Sequence, residues 1–275
     1  MPLDCRGMRQ ALLVFLSFLC CNAPRSAPLN PPAAGLSTVD VGGVPCDVFV
    51  PDAPVGTVLV LPGWNFDRGS WRKNSSIEEQ ARKHHLILIL PDMLKTLYET
   101  SYYPETTLRW NKTPGSQFIH DTLIPEMQKR YSLLMPGQRN FVLGLSTGGR
   151  GVAMTILENP KLFAAGAAFS GDYAQERMPG EAINAAIWGP YALFPDRWKG
   201  RDNPARRASE WQTPIYLAHG LDDRVVPPDQ TQMFGDLLSA RDKTLVEVHL
   251  KAGYGHDYRF WDSQLAPAFE FFSRH

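Results

Sequence analysis

Three residue types that together can make a hydroxyl attack a carbonyl follow one another along this chain: Ser146, the aspartates Asp222 and Asp223, and His256. A serine hydroxyl is too weakly acidic to attack unaided at neutral pH. An imidazole must take its proton, and a carboxylate must fix the ring tautomer and stabilise the cation that forms. Ser146 stands in Gly144-Leu145-Ser146-Thr147-Gly148, directly after an apolar run and directly before a helical pattern. A strand–turn–helix junction of this kind holds its serine in a strained backbone conformation with the hydroxyl pushed out of the sheet. Small flanking residues let the strand and helix backbones pass close together. An ordinary serine on a glycine-rich turn would have the same letters, so the partners must decide.

His256 lies in Lys251-Ala252-Gly253-Tyr254-Gly255-His256-Asp257, just beyond an apolar run. The chain has seven histidines, and the others fit a base less well. His84 and His85 sit where a helix meets a strand, His120 lies on a helix, and His249 lies within a strand. His219 precedes a turn glycine, and His275 is terminal. The acid is Asp222 or Asp223. Aligned as His219-Gly220-x-x-Asp223-x-x-Val226-Pro227, the segment favours Asp223 and leaves Asp222 as a solvated turn residue. Serine, aspartate and histidine in that order are the chain order of the α/β-hydrolase triad.

These residues need a frame. Apolar runs at 57–61, 86–90, 140–145, 163–169, 214–219 and 245–250 predict strands, and Cys46 falls in a further run at 45–50. Helical patterns cover 76–84, 117–131, 147–158, 230–240 and 261–273. Ser76 is a candidate N-cap, with Glu78 and Glu79 suiting the positive end of its helix, and Pro125 kinks or restarts the 117–131 helix. Strands alternating with helices imply right-handed crossovers and an α/β fold, with a mostly parallel central sheet covered by helices on both faces. In such sheets chemistry collects at the carboxyl ends of the strands, and Ser146, Asp223 and His256 each follow a strand. A tetrahedral oxyanion needs two backbone N–H donors. One is Thr147, directly after the nucleophile. The other should come from the loop after residues 57–61, where Pro62-Gly63-Trp64-Asn65 points to Trp64.

Gly144-Leu145-Ser146-Thr147-Gly148-Gly149-Arg150-Gly151, Asn159-Pro160, Phe169-Ser170-Gly171 and Gly255-His256-Asp257-Tyr258-x-Phe260-Trp261 resemble segments of the putative-esterase family of α/β-hydrolases. That family includes esterase D (S-formylglutathione hydrolase), feruloyl and acetyl esterases, and the secreted mycolyltransferases. Tyr102-Tyr103-Pro104 and Leu123-Ile124-Pro125 also fall where the family has similar residues. The resemblance implies an α/β-hydrolase fold, Ser146, Asp223 and His256 as triad, and Trp64 and Thr147 as oxyanion donors. Thr147 stands where many members carry Met, which leaves the substrate open.

The remaining sequence bounds the answer. With 275 residues, one domain can bury a large core. The 28 basic and 28 acidic residues cancel, so nothing in the balance points to nucleic acid or an anionic membrane. Arg6 and Arg9 precede the apolar run 11–19, and Ala23 and Ala27 follow it. That is the pattern of a secretory signal peptide over 1–27, and the run is too short for a comfortable membrane span. A secreted or periplasmic protein without stable membrane insertion is therefore expected, and a lipoprotein or retained anchor is the weaker alternative. Residues 28–45 form a linker and first strand region, and 46–275 the catalytic domain. Of the four cysteines, Cys5, Cys20, Cys21 and Cys46, only Cys46 lies beyond the leader. The mature chain then has no internal disulfide and no cysteine metal site, and no cofactor is expected.

Residues 171–211 separate two strands by a Trp-, Pro- and Arg-rich excursion, a lid or substrate loop by its length and place. Tyr98, Tyr102, Tyr103 and Trp110 either line the same cleft or pack the loop that carries them. The chemistry expected is hydrolysis of a small-molecule carboxylic ester through an acyl-enzyme. An acyltransferase with an alcohol or sugar acceptor would use the same residues. A related peptidase would need a gating domain, for which there is no room, and a non-catalytic binding protein would be expected to have lost a triad member. The acyl group, the alcohol and the oligomeric state stay open.

Overall fold

The computed structural model describes residues 32–104, 106 and 113–275. The leader over 1–27 and Trp110 lie outside the described residues.

The strands are β1 (Gly35–Val41), β2 (Val44–Val50), β3 (Gly56–Leu61), β4 (Leu86–Pro91), β5 (Asn140–Leu145), β6 (Ala165–Phe169), β7 (Ile215–Gly220) and β8 (Val246–Lys251). They form one eight-stranded sheet in the order β1-β2-β4-β3-β5-β6-β7-β8. Only the β1–β2 and β2–β4 pairs are antiparallel, and β4 through β8 run parallel. The 28–45 region thus carries an edge strand, turned back on β2 through Gly42 and Gly43, both with positive φ.

The helices are α1 (Ser70–Asn74), α2 (Ile77–Lys83), α3 (Gly115–Phe118), α4 (Ile124–Tyr131), α5 (Thr147–Glu158), α6 (Ala182–Trp188), α7 (Pro195–Trp198), α8 (Asp229–Arg241) and α9 (Tyr258–Ser273). They cover both sheet faces, and the strands are apolar on both sides for that reason. Leu59, Leu61, Ile87, Ile89 and Val142 face a core shared with α4, α5 and α8. Val58, Val60, Leu88, Phe141 and Leu143 face a second core shared with α1, α2 and α9.

One local expectation changes and another is refined. Ser76 does occupy the N-cap of α2, but it makes no side-chain bond to its own helix. Its N–H and Oγ both donate to Asp262 Oδ1 on α9, at 2.7 and 2.8 Å, so the residue pins two helices together. At Pro125 the helix restarts, as expected, but without passing through coil. A π-helical turn, Ile119–Leu123, joins α3 to α4 and brings Pro125 into the first turn of α4. A ring there needs no N–H, and the wider turn gives it room.

Candidate active site

The loops that carry the sequence-predicted residues converge at the carboxyl edge of the parallel strands. Ser146, between β5 and α5, has φ 55° and ψ −125°, the strained geometry expected of an elbow. The turn is this tight because bare backbone packs on backbone. A Cβ on Gly148 would lie 2.4 Å from Leu61 O. Ser146 N–H donates to Phe169 O at 2.8 Å, tying the elbow to β6.

His256 Nε2 lies 2.9 Å from Ser146 Oγ, and His256 Nδ1 lies 2.6 Å from Asp223 Oδ2. With an anion facing Nδ1, the ring carries its proton there, and the serine O–H donates to Nε2. The carboxylate in contact is Asp223, which is 7% exposed, whereas Asp222 faces solvent. Asp223 Oδ1 accepts from the N–H groups of Val225 and Val226 at 2.8 and 2.9 Å, so the return of the chain through Val225-Val226-Pro227 sets its direction. Burial pushes this carboxyl up. The hydrogen bonds from His219 and His256, with the charge of His256, outweigh it and hold Asp223 well below the usual carboxylate range. Trp261 on α9 and the His256 ring pack in a T-shaped arrangement, with centroids 5.1 Å apart. Its own Nε1–H donates to the buried Ser170 Oγ at 3.1 Å.

A cavity of about 250 Å³ opens over Ser146. Trp64 and Thr147 line it beside Ser146 and His256. Thr147 is the first residue of α5, where an amide has no partner within its own helix and the dipole is positive. Gly63 brings the other loop against Ser146, since a Cβ there would lie 3.2 Å from Ser146 Cβ. Both expected donor residues therefore line the cavity that opens over Ser146.

The outer wall comes from the 171–211 excursion, which contributes Asp172, Met178, Glu181, Ile183 and Asn184 to the cavity. The excursion is not structureless. It contains α6, α7 and two short 3-10 turns, and Trp188 and Trp198 pack with Leu97 in a small core of their own. Of the aromatic residues after β4, Tyr98 is loop packing, buried with its hydroxyl donating to Pro62 O at 2.8 Å. Tyr103 packs against the Trp188 core, and Tyr102 is exposed.

Two residues gain importance that their sequence context did not reveal. Arg150 is fully buried on α5. Its guanidinium donates to Leu97 O at 2.9 Å, to Asp172 Oδ2 at 2.9 Å, to Gln175 Oε1 at 3.0 Å and to Asp202 O. It also sits over the Trp188 ring, 4.9 Å from the centroid, so one cation links the elbow helix to the excursion. His219 is the second, and its Nε2 lies 3.1 Å from Asp223 Oδ2, the oxygen that His256 also reaches. The i, i+4 spacing of His219 and Asp223 was the available signal, overshadowed by the turn glycine between them.

The sheet order, the crossovers and the elbow define an α/β-hydrolase. A family model described as "Putative esterase" matches residues 47–272, and the chain belongs to that family, a class of ester hydrolases. No curated protein sequence matches it. Among solved structures, the chain is similar to an S-formylglutathione hydrolase from Staphylococcus aureus, at 18% identity and TM-score 0.66, over 87% of this chain and 99% of that one. It is similar to the fluorophosphonate-binding serine hydrolase F of Staphylococcus aureus, at 18% identity and TM-score 0.70, over 88% and 99%. It also resembles MPT51 of Mycobacterium tuberculosis, at 15% identity and TM-score 0.69, over 87% and 98%. At these identities the structural likeness speaks for the fold. Among the described residues no helix is long and apolar enough to cross a membrane.

Proposed function

We propose that the protein is a secreted or periplasmic serine esterase that cleaves a small-molecule carboxylic ester through an acyl-enzyme on Ser146. The observation that carries this is the unbroken chain from Ser146 Oγ through His256 to Asp223, at the floor of a cavity, in a member of an esterase family. Ser146 Oγ attacks the ester carbon as its proton passes to His256 Nε2. Asp223 stabilises the imidazolium without taking the proton. The backbone N–H groups of Trp64 and Thr147 receive the negative charge that develops on the carbonyl oxygen, and losing one such donor costs about a hundred- to a thousandfold in rate. His256 then returns the proton to the departing alcohol oxygen. A water, deprotonated by the same imidazole, attacks the acyl-enzyme and regenerates Ser146 with release of the acid. Export rests on the basic, apolar and small-residue order of the first 27 residues.

The test is labelling with a fluorophosphonate, together with turnover of p-nitrophenyl esters of graded acyl length. The wild type should be labelled and active, and Ser146→Ala should lose both while keeping its unfolding midpoint. Labelling or turnover that persists in Ser146→Ala would place the nucleophile elsewhere. Product that forms only when an alcohol acceptor is added would make the enzyme a transferase. For export, the mature N-terminus should begin between residues 22 and 31, and an intact Met1 or Met8 on a membrane-bound form would contradict it.

A further inference from the structure

We propose that His219 is a positioning residue for this reaction, donating its Nε2–H to the Asp223 oxygen that also receives His256 and so setting how strongly that oxygen holds the His256 imidazolium. The inference rests on Ser146, His256 and Asp223 having the roles proposed above.

His219 lies in β7, four residues before Asp223, and is fully buried. Its Nε2 is 3.1 Å from Asp223 Oδ2 and 3.0 Å from Val226 O. Both neighbours accept, so Nε2 must carry the proton. Nδ1 is 2.7 Å from Thr231 Oγ1 on α8, and in the neutral ring the threonine hydroxyl donates to it. The ring is thus fixed from one side by α8 and offers its single donor to the carboxylate on the other. Asp223 Oδ1 is occupied by two backbone N–H groups, which leaves Oδ2 shared between two imidazoles, His256 at 2.6 Å and His219 at 3.1 Å.

The consequence follows from the sharing. Donation from His219 draws charge from Oδ2, which keeps a buried carboxylate ionised and moderates its pull on the His256 N–H. Without that donor the oxygen becomes more basic and holds the imidazolium more tightly. The pH at which His256 becomes a free base then rises. One of the bonds that fix Oδ2 in place is also lost. The other ionisable groups around this cluster are Asp172 and Glu181 on the cavity wall, Tyr173 beside Thr231, Asp222 and Arg224 in the turn, and Asp257 after His256. They are common to wild type and variants, so a difference between the two reports on His219.

The experiment compares kcat and the acid limb of the kcat/KM–pH profile in wild type, His219→Leu and His219→Gln, with Ser146→Ala in parallel. His219→Leu, which has no donor, should lower kcat about tenfold and move the acid limb up by about half a pH unit. His219→Gln, whose amide N–H reaches the Nε2 position, should recover most of both. A folded Leu variant whose acid limb stays put or moves down overturns the proposal, as does a Gln variant as displaced as Leu. The wild type gives a second readout that needs no variant to fold. In a ¹⁵N–¹H spectrum, His219 Nε2 should carry a proton in the resting enzyme, and that signal should move when Ser146 is phosphonylated and His256 charges. An unprotonated Nε2, or a signal that phosphonylation leaves in place, also overturns it. Loss of turnover in Ser146→Ala, with the His219 results negative, would remove this inference and leave the esterase reading standing. Turnover that persists in Ser146→Ala would remove both.

Discussion

The floor and the outer wall of the cavity are held in place by different physics. The floor is backbone. Ser146, Asp223 and His256 each stand within a few residues of a strand end, in turns closed by amide hydrogen bonds and by glycines that let chains approach within van der Waals distance. The wall is side chain. The 171–211 excursion is tied to the rest of the fold through the buried Arg150 guanidinium and the packed rings of Trp188 and Trp198. A strand end is fixed by the whole sheet, so Ser146, Asp223 and His256 inherit the sheet's rigidity. A wall held by side-chain contacts can change shape without disturbing them. The difference predicts that substitutions in the floor act on turnover, and substitutions in the wall act on stability and on substrate affinity.

The sharpest way to break that division lies in the floor. Asp223→Asn should leave the fold intact and lower turnover about ten-thousandfold, as the comparable change did in a serine protease, while Asp222→Asn should alter turnover little. The reverse order of damage in two folded variants would mean that the solvated carboxylate reaches the imidazole.

On the wall, Arg150→Met removes the cation that Asp172 and the Asp202 carbonyl face. Breaking a buried pair from one side costs about 3–5 kcal/mol, and urea unfolding should register a loss of that order. KM should rise by a larger factor than kcat falls. A variant with a wild-type midpoint would show that the remaining ties, among them the tryptophan packing, the Glu158 pairs with Arg201 and Arg207 and the Thr100–Asp202 bonds, hold the excursion without the cation.

Trp64 belongs to both regions, and its substitution separates them. Trp64→Ala keeps the backbone N–H but deletes the indole, so kcat should stay within about threefold while KM for apolar acyl esters rises about tenfold. A fall in kcat as large as the hundredfold expected for a lost oxyanion donor would mean that the ring also sets the loop's backbone.

The smallest effect concerns Glu99, behind the wall, where its Oε2 accepts from Thr96 Oγ1 and Leu97 N–H. Burial pushes this carboxyl above its usual range, and the donors from Thr96 and Leu97 only partly offset that. The folded chain therefore holds the proton more tightly than the unfolded chain does. Its contribution to stability is fully present below the unfolded carboxyl pKa of about 4.5 and is lost as pH rises through the folded value. Glu99→Gln should raise Tm at pH 8 by about 2–4 °C, and the gain should vanish below about pH 4. A Tm difference independent of pH would mean that the group does not titrate in this window.

The α/β architecture was legible because strand and helix periodicities and turn residues are short-range signals. Each of the six apolar runs beyond residue 56 became a strand, with no end moved by more than two residues and the 140–145 run unchanged. The elbow was legible for the same reason, since Gly144-x-Ser146-x-Gly148 describes a single turn. The preference for Asp223 over Asp222 needed only the frame from His219-Gly220 to Val226-Pro227, which fixes which of two adjacent side chains turns inward. Partnerships across distant parts of the chain were not legible. Nothing near Ser76 announces that its hydroxyl goes to Asp262, and nothing near Arg150 in a glycine-rich helix start announces four acceptors from two other loops. His219 was visible as a residue before a turn, but its role depends on β7 and α8 holding its ring between Thr231 and Asp223. Periodicity and turn chemistry are properties of neighbours in sequence, and they determine where the chain bends and which residues reach the strand ends. Hydrogen-bond partners of buried polar groups are properties of neighbours in space, and only packing decides them, because a buried donor must take whichever acceptor the fold brings within reach.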